Sequence, residues 1–221
     1  MSKGNIFWCK HCLNMSTRPR ITFDHRGWCN ACVWMEEKKK LNWKKREEEL
    51  INLFSKHKSE NNEFDCVVPV SGGKDGSYVA YTLKHKYKIN PLAINVTPPL
   101  SLQLGEENLK NFAASGFNLM QIHPNQEVMR FLNKRGFIDK GSPYFGWMVA
   151  IHSAVIKTAL KFNISLIFYG EDGEVEYGGS TETKHTSLMS IEYQKKIWFE
   201  AGYDQILNQL PEKLKPDAIF W

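Results

Sequence analysis

The sequence predicts a doubly wound α/β domain built on a parallel sheet and preceded by a small cysteine-rich module. Three observations predict it. From Phe64 onward, short apolar runs alternate with amphipathic stretches, the order that places helices on both faces of a parallel sheet. The first of those runs ends in a glycine-rich loop that opens a helical stripe. Four of the five cysteines lie in the first 32 residues, as two Cys-x-x-Cys pairs.

Residues 1–33 are rich in Cys, Trp and turn formers and form the first segment. From Val33 to about Lys58 the charges read as one solvated helix, a linker spanning 34–60. Glu36 and Lys40, and Lys44 and Glu48, stand four apart on one face. The polar run Ser59-Glu60-Asn61-Asn62-Glu63 separates it from a domain spanning 61–221. There, Cys66-Val67-Val68-Pro69-Val70 is a strand, and Val79, Leu83 and Tyr87 mark a helix over 78–87. Strands follow at 91–97 and 118–123, and helices at 106–115 and 127–134. Ser142 is the expected N-cap and Pro143 the first residue of a long helix over 144–162. A strand over 165–169 closes the pattern.

The net charge of +5 and the isoelectric point near 8.8 suit anionic ligands such as nucleotides. Nucleic acid is not an expected partner, since its binders carry a stronger and clustered excess. Met1 to Trp8 lacks the apolar run of a signal peptide. No stretch reaches the roughly 18 apolar residues of a membrane span. A cytoplasmic protein with no membrane partner is expected.

In Ser71-Gly72-Gly73-Lys74-Asp75-Gly76-Ser77, a strand, a Gly-Gly turn and a helix start gather backbone N–H groups around one concave spot. Gly72 and Gly73 let phosphate oxygens approach the backbone. Lys74 supplies a cation, and Ser71 and Ser77 supply hydroxyls. Asp75 makes sense beside phosphates mainly as a holder of Mg²⁺. A Walker A loop would place Ser or Thr after Gly-Lys, and here Asp follows.

Cys9-Lys10-His11-Cys12 and Cys29-Asn30-Ala31-Cys32 have the spacing of a four-thiolate Zn²⁺ site, closed and therefore structural. Cys66 reads as a small core residue. The second unusual segment, 167–179, carries Glu171, Asp172, Glu174 and Glu176 directly after an apolar strand. Such carboxylates repel one another unless a cation or donors are present. In an open α/β sheet, the end of that strand shares the ligand edge with the glycine loop.

Residues 71–77 resemble the PP-loop of ATP pyrophosphatases, which cleave ATP to AMP and pyrophosphate. The whole chain resembles the N-acetyl sugar amidotransferase family of bacterial surface-polysaccharide (lipopolysaccharide O-antigen, pseudaminic-type) sugar synthesis. That resemblance rests on the four-Cys segment, the charged helix, Pro69 to Tyr78, Trp147, Tyr169-Gly170-Glu171 and Glu176-Tyr177-Gly178-Gly179.

The resemblance implies adenylation of a sugar or nucleotide-sugar acetamido oxygen, then amination to an acetamidino group. ATP would lie on residues 71–77 with Asp172 nearby. Lys74, Asp75 and Glu171 would be catalytic, with Asp75 and Glu171 or Asp172 binding Mg²⁺. Ammonia would come from a separate glutaminase subunit paired with a barrel-type synthase subunit, both resembling histidine-biosynthesis proteins. Family members continue past Ala218-Ile219-Phe220-Trp221, so the domain is expected to be incomplete at its C-terminus. Two other readings stay open: a PP-loop tRNA-thiolation enzyme and a non-catalytic nucleotide-binding remnant.

Overall fold

The computed structural model describes residues 5–58, 63–170, 173–186, 188–199 and 202–221. The chain forms two compact units. One comprises Met1–Glu48 with Asp172–Trp198, and the other Glu49–Glu171 with Phe199–Trp221. The segments drawn from composition run continuously along the chain, whereas both of these units are discontinuous.

The charged stretch expected as one helix is two, α1 (Asn30–Lys38) and α2 (Trp43–His57). The break falls at residues 39–42, where Trp43 N–H donates to Leu41 O and the Asn42 side chain accepts from Lys45 N–H. An Asn that caps the next turn ends one helix and starts another. Glu36 pairs with Arg26 at 2.9 Å, and this donor holds its carboxyl below the usual carboxylate range.

In the larger unit, β1 (Cys66–Pro69), β2 (Pro91–Val96) and β3 (Asn118–Ile122) form a parallel sheet in the order β1-β2-β3. All six residues of β2 are buried, as in an interior parallel strand covered on both faces. Residues 165–169, expected as a further strand, contribute a single parallel bridge between Val67 and Ile167. Val67 N–H donates to Leu166 O and Phe168 N–H to Val67 O, both at 2.9 Å. The next β1 residue facing that neighbour is Pro69, which has no N–H to extend the ladder.

Residues two apart share a face of a strand. Cys66, Val68 and Val70 therefore point with Ala93 into one core. There they meet Phe54 of α2, Ala80 and Leu83 of α3 (Lys74–His85), and Leu109 and Phe112 of α4 (Gln103–Ala114). Burial, with Asp65 beside it, pushes the Cys66 thiol up to about 12, so it is an inert core residue as expected. The opposite face carries Val67, and α6 (Phe145–Lys161) packs against both β1 and β2, with α5 (Gln126–Lys140) against α6. Helices thus cover both faces of the parallel sheet, as the alternating pattern predicts.

Ser142 is not the cap of α6. The N-cap is Tyr144, without a side-chain cap bond. Left-handed Gly141 ends α5, and Ser142 N–H turns back to Gly136 O, which commits Ser142 to the link.

His152 of α6 is buried, with its ring 5.4 Å from that of Phe199 and 5.9 Å from that of Tyr169. Desolvation lowers its pKa from 6.5 to about 4. The folded value is depressed, so the neutral form stabilises the fold fully above pH 6.5. That contribution, roughly 3 kcal/mol, is lost as pH falls from 6.5 toward 4. Urea titrations at several pH values should show this slope, and His152→Leu should flatten it.

Candidate functional site

The glycine loop is anchored before it turns. Buried Val70 donates its N–H to Ile94 O and accepts from the buried Asn95 amide, both at 2.8 Å. Gly72 then adopts φ 82°, and a Cβ there would lie 2.5 Å from Gly105 O, so only glycine fits. Asn108 Nδ2 holds Gly72 O at 2.9 Å. Gly73 is the N-cap of α3, its N–H faces Ser71 Oγ at 3.4 Å, and the Ser77 hydroxyl donates back to Gly73 O at 2.8 Å.

The N–H groups of the first turn of α3 have no partner within the helix. They belong to residues 74–76, directly after a glycine turn, and the helix dipole adds partial positive charge there. Lys74 and Asp75 are exposed and joined at 2.5 Å. This arrangement can take the phosphates of an anionic ligand, with a cation and a carboxylate at its mouth.

Gly170, at the end of the 165–169 segment, is packed directly on this loop. A Cβ on Gly170 would lie 2.6 Å from Gly76 N and 2.8 Å from the Asp75 carbonyl carbon. Both are backbone atoms and neither can swing aside. Gly170→Ala should therefore cost about 1–3 kcal/mol, the usual cost of overpacking. It should also weaken nucleotide binding through displacement of residues 75–76, as measured by thermal unfolding and calorimetric titration. Glu171 and Asp172 lie outside the described residues.

In the smaller unit, the sulfurs of Cys9, Cys12, Cys29 and Cys32 all lie within 4.8 Å of one another. Cys9–Cys32, Cys12–Cys29 and Cys29–Cys32 are 3.8, 3.6 and 3.7 Å apart. A tetrahedron with Zn–S bonds of about 2.3 Å has edges of about 3.8 Å, so the four sulfurs fit a Zn²⁺ ion. None of these cysteines forms a disulfide.

Two backbone donors and one side-chain amide face the sulfurs. Cys29 N–H and His11 N–H reach Cys9 Sγ at 3.1 and 3.4 Å, and Asn14 Nδ2 reaches Cys29 Sγ at 3.5 Å. Burial raises the Cys12 and Cys32 thiols, whereas at Cys9 the backbone donors outweigh burial and bring the pKa down to about 6, which favours the thiolate at that ligand. His11 instead packs on Trp28, with ring centres 4.0 Å apart and the planes tilted by 41°.

Two of the four acidic residues after Gly170 are neutralised by basic side chains of the same unit. Glu174 Oε2 accepts from Arg20 at 2.9 and 3.0 Å, and Glu176 pairs with Lys38 at 2.7 Å. Asn108 and the pairs to Arg20 and Lys38 were not legible from the sequence. Each partner lies far along the chain, and no local spacing marks it.

No family model matches the chain. Over 104 residues, 47% of this chain, it is 30% identical to a protein of Methanocaldococcus jannaschii described as uncharacterized. The match spans 37% of that relative, little more than a third of its length. Two solved structures align with part of the chain. A predicted subunit of tRNA methyltransferase from M. jannaschii has a TM-score of 0.38 and 21% identity, over 62% of this chain and 64% of that one. An NH3-dependent NAD synthetase from Campylobacter jejuni has a TM-score of 0.43 and 18% identity, over 81% of this chain and 92% of that one. Likeness at this level does not bear on activity.

Proposed function

We propose that this chain is an ATP-dependent, AMP- and pyrophosphate-forming amidotransferase that converts a sugar acetamido group to an acetamidino group. The observation that carries the ATP part is the loop after β1. It combines a left-handed glycine pressed on Gly105, a helix that starts directly after the turn, and an exposed Lys74–Asp75 pair. The sequence resemblance supports the choice of acceptor.

In this reading the acetamido oxygen attacks the α-phosphorus of ATP and pyrophosphate leaves. Ammonia then adds to the imidate carbon, and AMP departs with the former acetamido oxygen. The loop donors and Lys74 hold the leaving phosphates, and Asp75 would hold Mg²⁺, which offsets charge on the pyrophosphate. Glu171 would assist Asp75, and Asp172 would lie beside the nucleotide. Ammonia would be delivered by a glutaminase subunit with a barrel-type synthase subunit.

The structural zinc site would brace the smaller unit. Among the described residues no helix is long and apolar enough to cross a membrane. The test is to incubate the protein with ATP, Mg²⁺, ammonium and a panel of UDP- and CMP-linked diacetamido sugars. AMP and pyrophosphate formed only with one sugar supports the reading, and ADP formation or no turnover with any sugar refutes it.

A further inference from the structure

The smaller unit contains a cavity of about 230 Å³ that the loop chemistry does not use. One wall is residues 22–24, one is α1, and the third is the segment after the acidic loop. That third wall is clamped in place. Besides the Arg20–Glu174 and Lys38–Glu176 pairs, the Asn30 amide donates to Gly179 O at 2.5 Å, and Lys184 pairs with Glu37 at 2.7 Å. A side chain on Gly179 would run into the Glu174 carboxylate. Glu176 and Gly179 therefore hold this segment against α1, and Glu174 ties it to Arg20.

What the cavity offers is specific. Phe23, Val33 and Trp34 give it an apolar lining, with Trp34 only 5% exposed. Asp24 and Asn30 are occupied, Asp24 by Arg26 and two backbone donors, Asn30 by Thr22 N–H and Gly179 O. The polar groups left at the lining are Thr22, Thr181 and the Glu37–Lys184 pair. Glu37 and Lys184 compensate each other, as do Asp24 and Arg26, so a phosphate or free carboxylate finds no net charge here. A few polar groups on an apolar lining orient a small neutral ligand. The volume lies below the roughly 300–1,000 Å³ of drug-sized sites and admits one ring.

We infer that this cavity is a binding site for a neutral, hydroxyl-bearing ring of hexose size. Its carbon–hydrogen face lies on Phe23, Val33 and Trp34, and its polar substituents meet Glu37, Lys184 and the two threonine hydroxyls. The inference stands apart from the loop chemistry, and only the choice of an acetamido ring rests on the amidination reading.

Binding is tested without ATP, so that its failure is separate from a failure of turnover. Saturation-transfer NMR on the full chain would use N-acetylglucosamine and glucose as probes. Signal from the acetamido sugar is expected. Glu37→Gln and Thr181→Val should each weaken it about tenfold, the order of one lost hydrogen bond to a charged or polar group. Zinc content and tryptophan fluorescence would verify that the variants remain folded. Absence of binding for both probes, or equal affinity in the wild type and in both folded variants, overturns the assignment.

Discussion

Asp75→Ala is expected to lower AMP formation by at least about a hundredfold, the order seen when one fixed electrostatic contact to a phosphate-transfer site is lost. The loss should appear with the fold unchanged. Asp75 occupies the first turn of α3, its side chain is 56% exposed, and it pairs with the still more exposed Lys74. Surface substitutions of that kind usually change stability by no more than about 0.5 kcal/mol. Excess Mg²⁺ should recover part of the rate if the carboxylate acts by holding the ion. AMP formation at the wild-type rate would remove Asp75 from the site.

Cys29→Ser is expected to release the metal and unfold the smaller unit. Cys29 is fully buried and its sulfur lies within 3.7 Å of both Cys12 and Cys32. The apolar cluster around the thiols is small, with Ile21, Phe23 and Trp28 half-buried against it. Structural zinc contributes on the order of 10 kcal/mol in modules of this size, far more than such a cluster supplies. One zinc per chain by elemental analysis, and its loss with the near-ultraviolet tryptophan signal in Cys29→Ser, would bear this out. A chelator-treated protein that kept that signal would show that the thiols do not depend on a metal.

The glycine loop and the thiol pairs were legible because each depends on residue type at short spacing. Gly72 is forced by its left-handed backbone and the approach of Gly105. Cys-x-x-Cys turns place sulfurs on one side whatever surrounds them. The parallel sheet followed from the same local logic, since β2 is an apolar run interrupted at Asn95 alone.

What the residue types did not show was the set of partners each segment finds on folding. Pro69 looked harmless inside an apolar run, yet its missing N–H confines the pairing of residues 165–169 to Val67. The acidic stretch called for a cation or donors, and Glu174 and Glu176 find theirs in Arg20 and Lys38, more than a hundred residues away, while Glu171 and Asp172 lie outside the described residues. Ser142 matched a helix cap by type, while Gly141 and Gly136 had already fixed its backbone elsewhere.

In the proposed reaction ATP activates an acyl oxygen for displacement by ammonia. The most direct test is to follow a heavy-oxygen label placed in the acetamido group of the accepted sugar. During turnover with ATP and ammonium, the label should leave the sugar and appear in AMP. A label retained in the sugar, or one that never reaches AMP while ATP is consumed, would contradict the account.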